Sequence, residues 1–183
     1  MSQTKSLIAI DPGKSSGVAL FNYTDETPAT LVGVRQLSDG IREICDEVSG
    51  LTEMIAFSKT GMWTVVCERF VPLTEDGFSH TSDSLEPLRI EGALIDRGIM
   101  SASYSDDRWQ RASCQLITGS GNDETRKQAS NALLEKHGMW YTGADVGQPN
   151  ADDAISAIKH GIYYMKNTVK HRPTQEKFWP KTT

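Results

Sequence analysis

The stretch that most constrains this chain is Leu7 to Phe21, which reads Leu-Ile-Ala-Ile-Asp-Pro-Gly-Lys-Ser-Ser-Gly-Val-Ala-Leu-Phe. Four consecutive apolar residues, Leu7 to Ile10, suit a buried strand. Pro12-Gly13 marks a turn, and Gly17 opens a second apolar run that ends at Phe21. The segment predicts a hairpin near the start of the chain, with Asp11 at the end of its first strand. A carboxylate in that place is costly unless it is solvated, paired or bound to a metal. Taken alone, Asp11 reads equally well as an ordinary Asp-Pro turn residue.

A chain of 183 residues with 38% hydrophobic content is long enough to bury a core. We expect one domain over residues 1–183, with a basic tail from about residue 167 whose composition allows it to be flexible. No apolar stretch reaches the roughly 18 residues of a membrane span, and the first residues lack a secretory signal, so the expected location is cytoplasmic. Cys45, Cys67 and Cys114 are widely spaced and form no CxxC pair. Neither a disulfide framework nor a structural zinc site is indicated, and the thiols should be reduced and partly buried. The net charge of −5 does not announce a nucleic-acid binder. Its distribution is uneven, with acids gathered between Asp39 and Glu53 and cations after Lys166, which suits either a local DNA groove or two solvated surfaces.

After the hairpin, Leu31 to Leu37 reads as a third strand, with Val32 and Val34 on one face. Ser38 or Asp39 can cap a helix that carries Ile41, Ile44, Cys45, Val48, Leu51, Met54 and Ile55 at helical spacing. Trp63 to Cys67 is a short continuous apolar strand suited to a sheet interior, and it ends in Glu68. Arg69 to Pro87 has few periodic signals; within it Phe70 and Phe78 are candidates to stack on bases or to anchor the loop. Further helices are expected from Glu86 to Arg97, after Asp106 or Asp107, and from Asp123 to His137. Ile99 to Tyr104 is a possible short strand, and Gly119-Ser-Gly121 a break. Asn150 is a natural N-cap for a last helix that carries Asp152 and Asp153 ahead of a small, apolar face.

Asp11, Glu68 and Asp153 thus arise on three separate elements, each with an everyday explanation: a turn, a rim pair with Arg69, a helix-capping acid. If the strands of Asp11 and Glu68 are neighbours, and the last helix packs flat on the sheet, the three acids meet at one sheet edge.

In this order, Ile-Asp-Pro-Gly with Gly17, a strand ending in Glu68, Glu-Pro-Leu-Arg opening a helix, Gly-Ser-Gly before a helix with basic residues, and Asp-Ala-Ile-Ser-Ala-Ile-Lys-His resemble RuvC-type Holliday junction resolvases. The likeness runs from about Ser6 to Met165 and is greatest to the shorter phage-encoded, RuvC-like branch. It implies an RNase H-like α/β fold, a mixed five-stranded sheet with helices on both faces. It also implies a homodimer whose two-fold interface uses the Glu86 to Arg97 helix, and a crossover junction endodeoxyribonuclease activity on branched DNA, with two Mg²⁺ or Mn²⁺ ions per active site. Asp11 would bridge the ions, Glu68 would bind one and Asp153 the other. Two hard cations about 4 Å apart can activate the attacking water and stabilise the leaving oxygen of a phosphodiester.

The chain departs from the family in two places. Asn150 stands where a fourth ligand, Asp or His, is usual, leaving Asn150 or Asp152 to serve. The lysine expected before the Gly-x-Gly loop is missing, so phosphate contacts would fall to Arg111, Arg126 and Lys127. Other readings are an RNase H-like nuclease for flaps, forks or RNA in hybrids, and a catalytically silent junction-binding protein. An actin- or sugar-kinase-like ATPase needs about twice this length.

Overall fold

A computed structural model describes residues 2–38, 40–57, 62–68, 85–99, 123–141 and 151–180. The hairpin forms as its sequence requires: β1 (Lys5–Asp11) turns through Pro12-Gly13 into β2 (Ser16–Tyr23), and β3 (Thr30–Leu37) completes an antiparallel meander. The chain then crosses through α1 (Gly40–Phe57) to β4 (Met62–Cys67), which lies parallel to β1 on the side away from β2. The sheet order is β3-β2-β1-β4. Among the described residues four helices follow: α2 (Glu86–Asp96), α3 (Asp123–Lys136), α4 (Asp152–Asn167) and α5 (Arg172–Phe178). None of the described helices is long and apolar enough to cross a membrane.

This is the mixed α/β arrangement with helices on both faces of the sheet that the sequence predicts, with one difference. Four strands, not five, are present among the described residues. The fifth was expected at Ile99 to Tyr104; Ile99 folds back on the end of α2, its N–H donating to the Leu94 carbonyl, and the rest lies outside the described residues.

Strand alternation divides the core between two faces. Ile8, Ile10, Val18 and Leu20 pack with Ile44, Cys45 and Val48 of α1 and Ile90 and Leu94 of α2. Leu7, Ala9, Ala19 and Phe21 pack with Ala154, Ala157, Ile158 and Ile162 of α4 on the opposite face. Each large side chain buried this way contributes about 1.5–3 kcal/mol relative to exposure. The α4 face is small as well as apolar, and it lies very close to the sheet: a Cβ on Gly161 would overlap the Phe21 ring. Cys45 and Cys67 are buried free thiols.

Several expectations are corrected. Met54, near the end of α1, and Val32 are each 53% exposed; Val32 is the extra residue at the register shift between the Leu31–Phe21 and Gly33–Leu20 pairs, which takes it off the face of Val34. Only Val65 to Cys67 of β4 are buried; Met62 and Trp63 lie at its exposed start. Arg172–Phe178 is a helix with Pro173 in its first turn, and Phe178 is buried in the α4-side core. His171 and Thr174, both buried, tie this helix to the β2–β3 turn. The Ala29 N–H donates to Thr174 Oγ1 at 2.8 Å, and the imidazole spans Thr174 Oγ1 and the Thr24 carbonyl at 2.7 Å each. Since a carbonyl only accepts, the proton of neutral His171 belongs on Nε2, with Nδ1 accepting from the threonine hydroxyl.

Candidate metal centre

The cluster begins with a row across the sheet. Asp11 of β1 is in register with Gly17 of β2, and Gly17 with Gln36 of β3. On the other side of β1, Ile10 is in register with Cys67, and the Glu68 N–H donates to the Ile10 carbonyl at 3.0 Å, which sets Glu68 beside Asp11. Strand alternation sends Asp11, Gln36 and Glu68 to the α4 face, as it does Ala9, Ala19 and Val66.

α4 is laid over this row. Gly17 makes the contact possible, since a Cβ there would overlap the backbone carbonyl of Asp153. Seven residues along the helix, two turns on and hence on the same face, His160 meets the acids. Its Nε2 lies 3.3 Å from Glu68 Oε2 and 3.8 Å from Asp11 Oδ1, and the side chain is 1% exposed. One ligand atom from each of Asp11, Glu68 and His160 falls within 4.8 Å of the others.

The electrostatics are those of acids gathered in a dry place. Burial raises the Asp11 pKa to about 6; His160 opposes the rise and Glu68 adds to it. Burial acts to lower the His160 pKa, but the Asp11 and Glu68 carboxylates together outweigh it and lift the value to about 9. Despite these charges, neither imidazole nitrogen makes a hydrogen bond, although both are fully buried. A buried nitrogen without an aligned hydrogen bond is costly, and Nε2, once its proton has left, would be available to bind a cation. Two carboxylates and an imidazole nitrogen at this spacing fit a divalent ion.

Asp153 is held elsewhere on the row. The Gln36 side-chain amide donates to Asp153 Oδ2 and to Ser15 Oγ, while its Oε1 accepts the Ala154 N–H at 2.8 Å. Gln36 thereby does the work foreseen for Asn150: the N-cap is Ala151, which makes no side-chain cap, and a side chain from β3 satisfies a first-turn N–H instead. Asp152 is the exposed first residue of α4. The structure therefore brings Asp11 and Glu68 together, adds His160, and leaves Asp153 and Asp152 outside the group of converging donors.

Phe70, Phe78, Arg111 and Asn150 lie outside the described residues. Arg126 is within α3, and Lys127 is exposed on it. Sequence reasoning missed Gln36 and His160. The signal for His160 was a histidine two helical turns after Asp153 on a face otherwise apolar; for Gln36 there was none before the strand register was known.

No family model matches the chain, and no curated protein does. Among solved structures it is similar to the RuvC structure of Thermus thermophilus, with 13% identity, a TM-score of 0.47, and coverage of 88% of this chain and 95% of the other.

Proposed function

We propose that this chain is a divalent-metal-dependent endonuclease that nicks branched DNA, with the Holliday junction as its foremost substrate and forks and flaps as related ones. The observation that carries this reading is the convergence of Asp11, Glu68 and the buried imidazole of His160 at the edge of a mixed sheet. The ordered motifs of the sequence support it.

Asp11, Glu68 and His160 would hold one divalent ion, Mg²⁺ or Mn²⁺. Asp153 would serve a second, with Asp152 or Asn150 as a further donor. Bound there, the ions would supply an activated water and charge neutralisation at the scissile phosphate. Asp11 and Glu68 concentrate negative charge at the strand ends, and the sheet and α4 exclude bulk water from His160. In the metal-free protein the single charge of the imidazolium offsets part of the charge of the two acids. Lys127, with Arg126 and Arg111, would grip phosphates, and Phe70 and Phe78 are the aromatics available to a branch point. A homodimer would present two such sites to opposite strands, and the half-exposed apolar Leu88 and Ile95 of α2 suit a two-fold contact.

The test compares cleavage of a four-way junction, a fork, a flap and a linear duplex in Mg²⁺ and in Mn²⁺, with light scattering to follow the dimer. Junction cutting well above duplex cutting is expected. Equal cutting of all four would remove the junction assignment, and no cutting in either metal would remove the nuclease.

A further inference from the structure

We propose that Gln36 is a positioning residue for Asp153, and that through this one amide the β-sheet sets how tightly the acidic row takes up a divalent ion. This rests on the metal-centre reading above and extends it to a residue two strands away from Asp11.

The geometry is specific. Gln36 is 8% exposed and in register with Gly17, which presents no side chain between β3 and the head of α4. The bonds to Ala154, Asp153 and Ser15 fix the amide orientation. Oε1 must face the Ala154 N–H, because only an oxygen can accept it, and Nε2 is then directed to the Asp153 carboxylate and the Ser15 hydroxyl. A flipped amide would set oxygen against carboxylate and N–H against N–H. Ser15 is itself anchored, donating to the Leu37 carbonyl at 3.2 Å. The carboxylate of Asp153 is thus tied to the sheet that carries Asp11, and the helix that carries His160 is tied by the same amide through Ala154. One side chain sets the position of the acid and of the helix head relative to the row.

Residues that orient a metal ligand from behind commonly matter about 10- to 100-fold in metal affinity. Mn²⁺ uptake is measured from the electron paramagnetic resonance signal of the free ion, for the wild type, Gln36→Leu, Asp153→Asn and the double variant. Ala154 N–H exchange is followed by NMR in the metal-free proteins. Gln36→Leu should weaken Mn²⁺ binding about tenfold and speed Ala154 exchange, and should weaken binding no further in the Asp153→Asn background, because Gln36 acts through that acid. A residue that merely stabilised the fold would weaken binding equally in both backgrounds. Wild-type affinity in Gln36→Leu, or full additivity in the double variant, would overturn the proposal while leaving the metal centre standing. Absence of Mn²⁺ uptake by the wild type would overturn both.

Discussion

His160 Nε2 stands 3.3 Å from Glu68 Oε2, so a buried imidazole from the penultimate helix closes on the carboxylate that follows the last strand described. The contact is an ion pair without a properly aligned hydrogen bond. With its pKa near 9, His160 carries a proton at neutral pH in the metal-free protein, and the cluster is one positive charge among two acids. Entry of a cation would displace that proton.

Asp11→Asn and Glu68→Gln should each abolish nicking, a loss beyond the roughly 10- to 100-fold that removing an outer partner of a ligand costs. Junction binding, measured by gel shift in metal-free buffer, should survive in both. Nicking by Asp11→Asn at the wild-type rate would remove Asp11 from the chemistry.

The metal-free protein should lose stability as pH rises from about 6.5 to 9. The folded His160 value lies above the 6.5 of a free imidazole, so its contribution is fully present below pH 6.5 and is lost as pH passes through about 9. Asp11, raised to about 6, acts in the same sense in the lower window, from 3.8 upward. Over the upper window the loss is on the order of 3 kcal/mol. Urea unfolding at a series of pH values should show it in the wild type and not in His160→Gln; identical pH profiles would contradict the pairing.

Gly17→Ala should force α4 away from β2, since the new Cβ would overlap the Asp153 carbonyl. Overpacking of this kind costs about 1–3 kcal/mol. Thermal melts should register that loss, together with weaker Mn²⁺ uptake, whereas Gly33→Ala, with open space at its Cβ, should leave Mn²⁺ uptake unchanged.

Thr174→Val should destabilise the chain by about 1–3 kcal/mol, the cost of stranding buried polar partners, here the Ala29 N–H and His171 Nδ1. Thr174→Ser keeps both bonds and should recover most of the loss in a denaturant titration. Equal destabilisation by the two variants would point to the methyl group instead.

Replacing Arg126 and Lys127 together by Ala should flatten the salt dependence of junction affinity by about two units if both touch phosphates. An unchanged slope in fluorescence anisotropy would place the DNA groove away from α3.

Much of the fold was legible because it is written in local pattern. Pro12-Gly13 between two apolar runs dictates the hairpin, the spacing of Ile44, Val48 and Ile55 dictates α1, and Ala154 to Met165 dictates a helix that lies flat on a sheet. Asp11 and Glu68 could be paired from sequence because both end strands, and strand ends gather at one edge. His160 was hidden by its surroundings, since one histidine among Ile158, Gly161 and Ile162 reads as core. Gln36 was hidden by distance: its role exists only once β3 is in register with β2 and α4 has crossed both. Met54 misled because periodicity tells which side of an element is apolar and not where the neighbouring layer stops, and Val32 because a bulge in β3 breaks the two-residue alternation that a regular strand would show.

The bond between Gln36 and Asp153 joins residues 117 apart in the chain. The meander of β1 to β3 can pair as soon as it is made, but the head of the helix that completes the row lies 117 residues beyond Gln36, and contacts so remote form slowly. A nascent chain therefore carries its first acids long before it can use them. On the proposed reading, ion uptake would report complete folding, and misfolded molecules would be left unarmed.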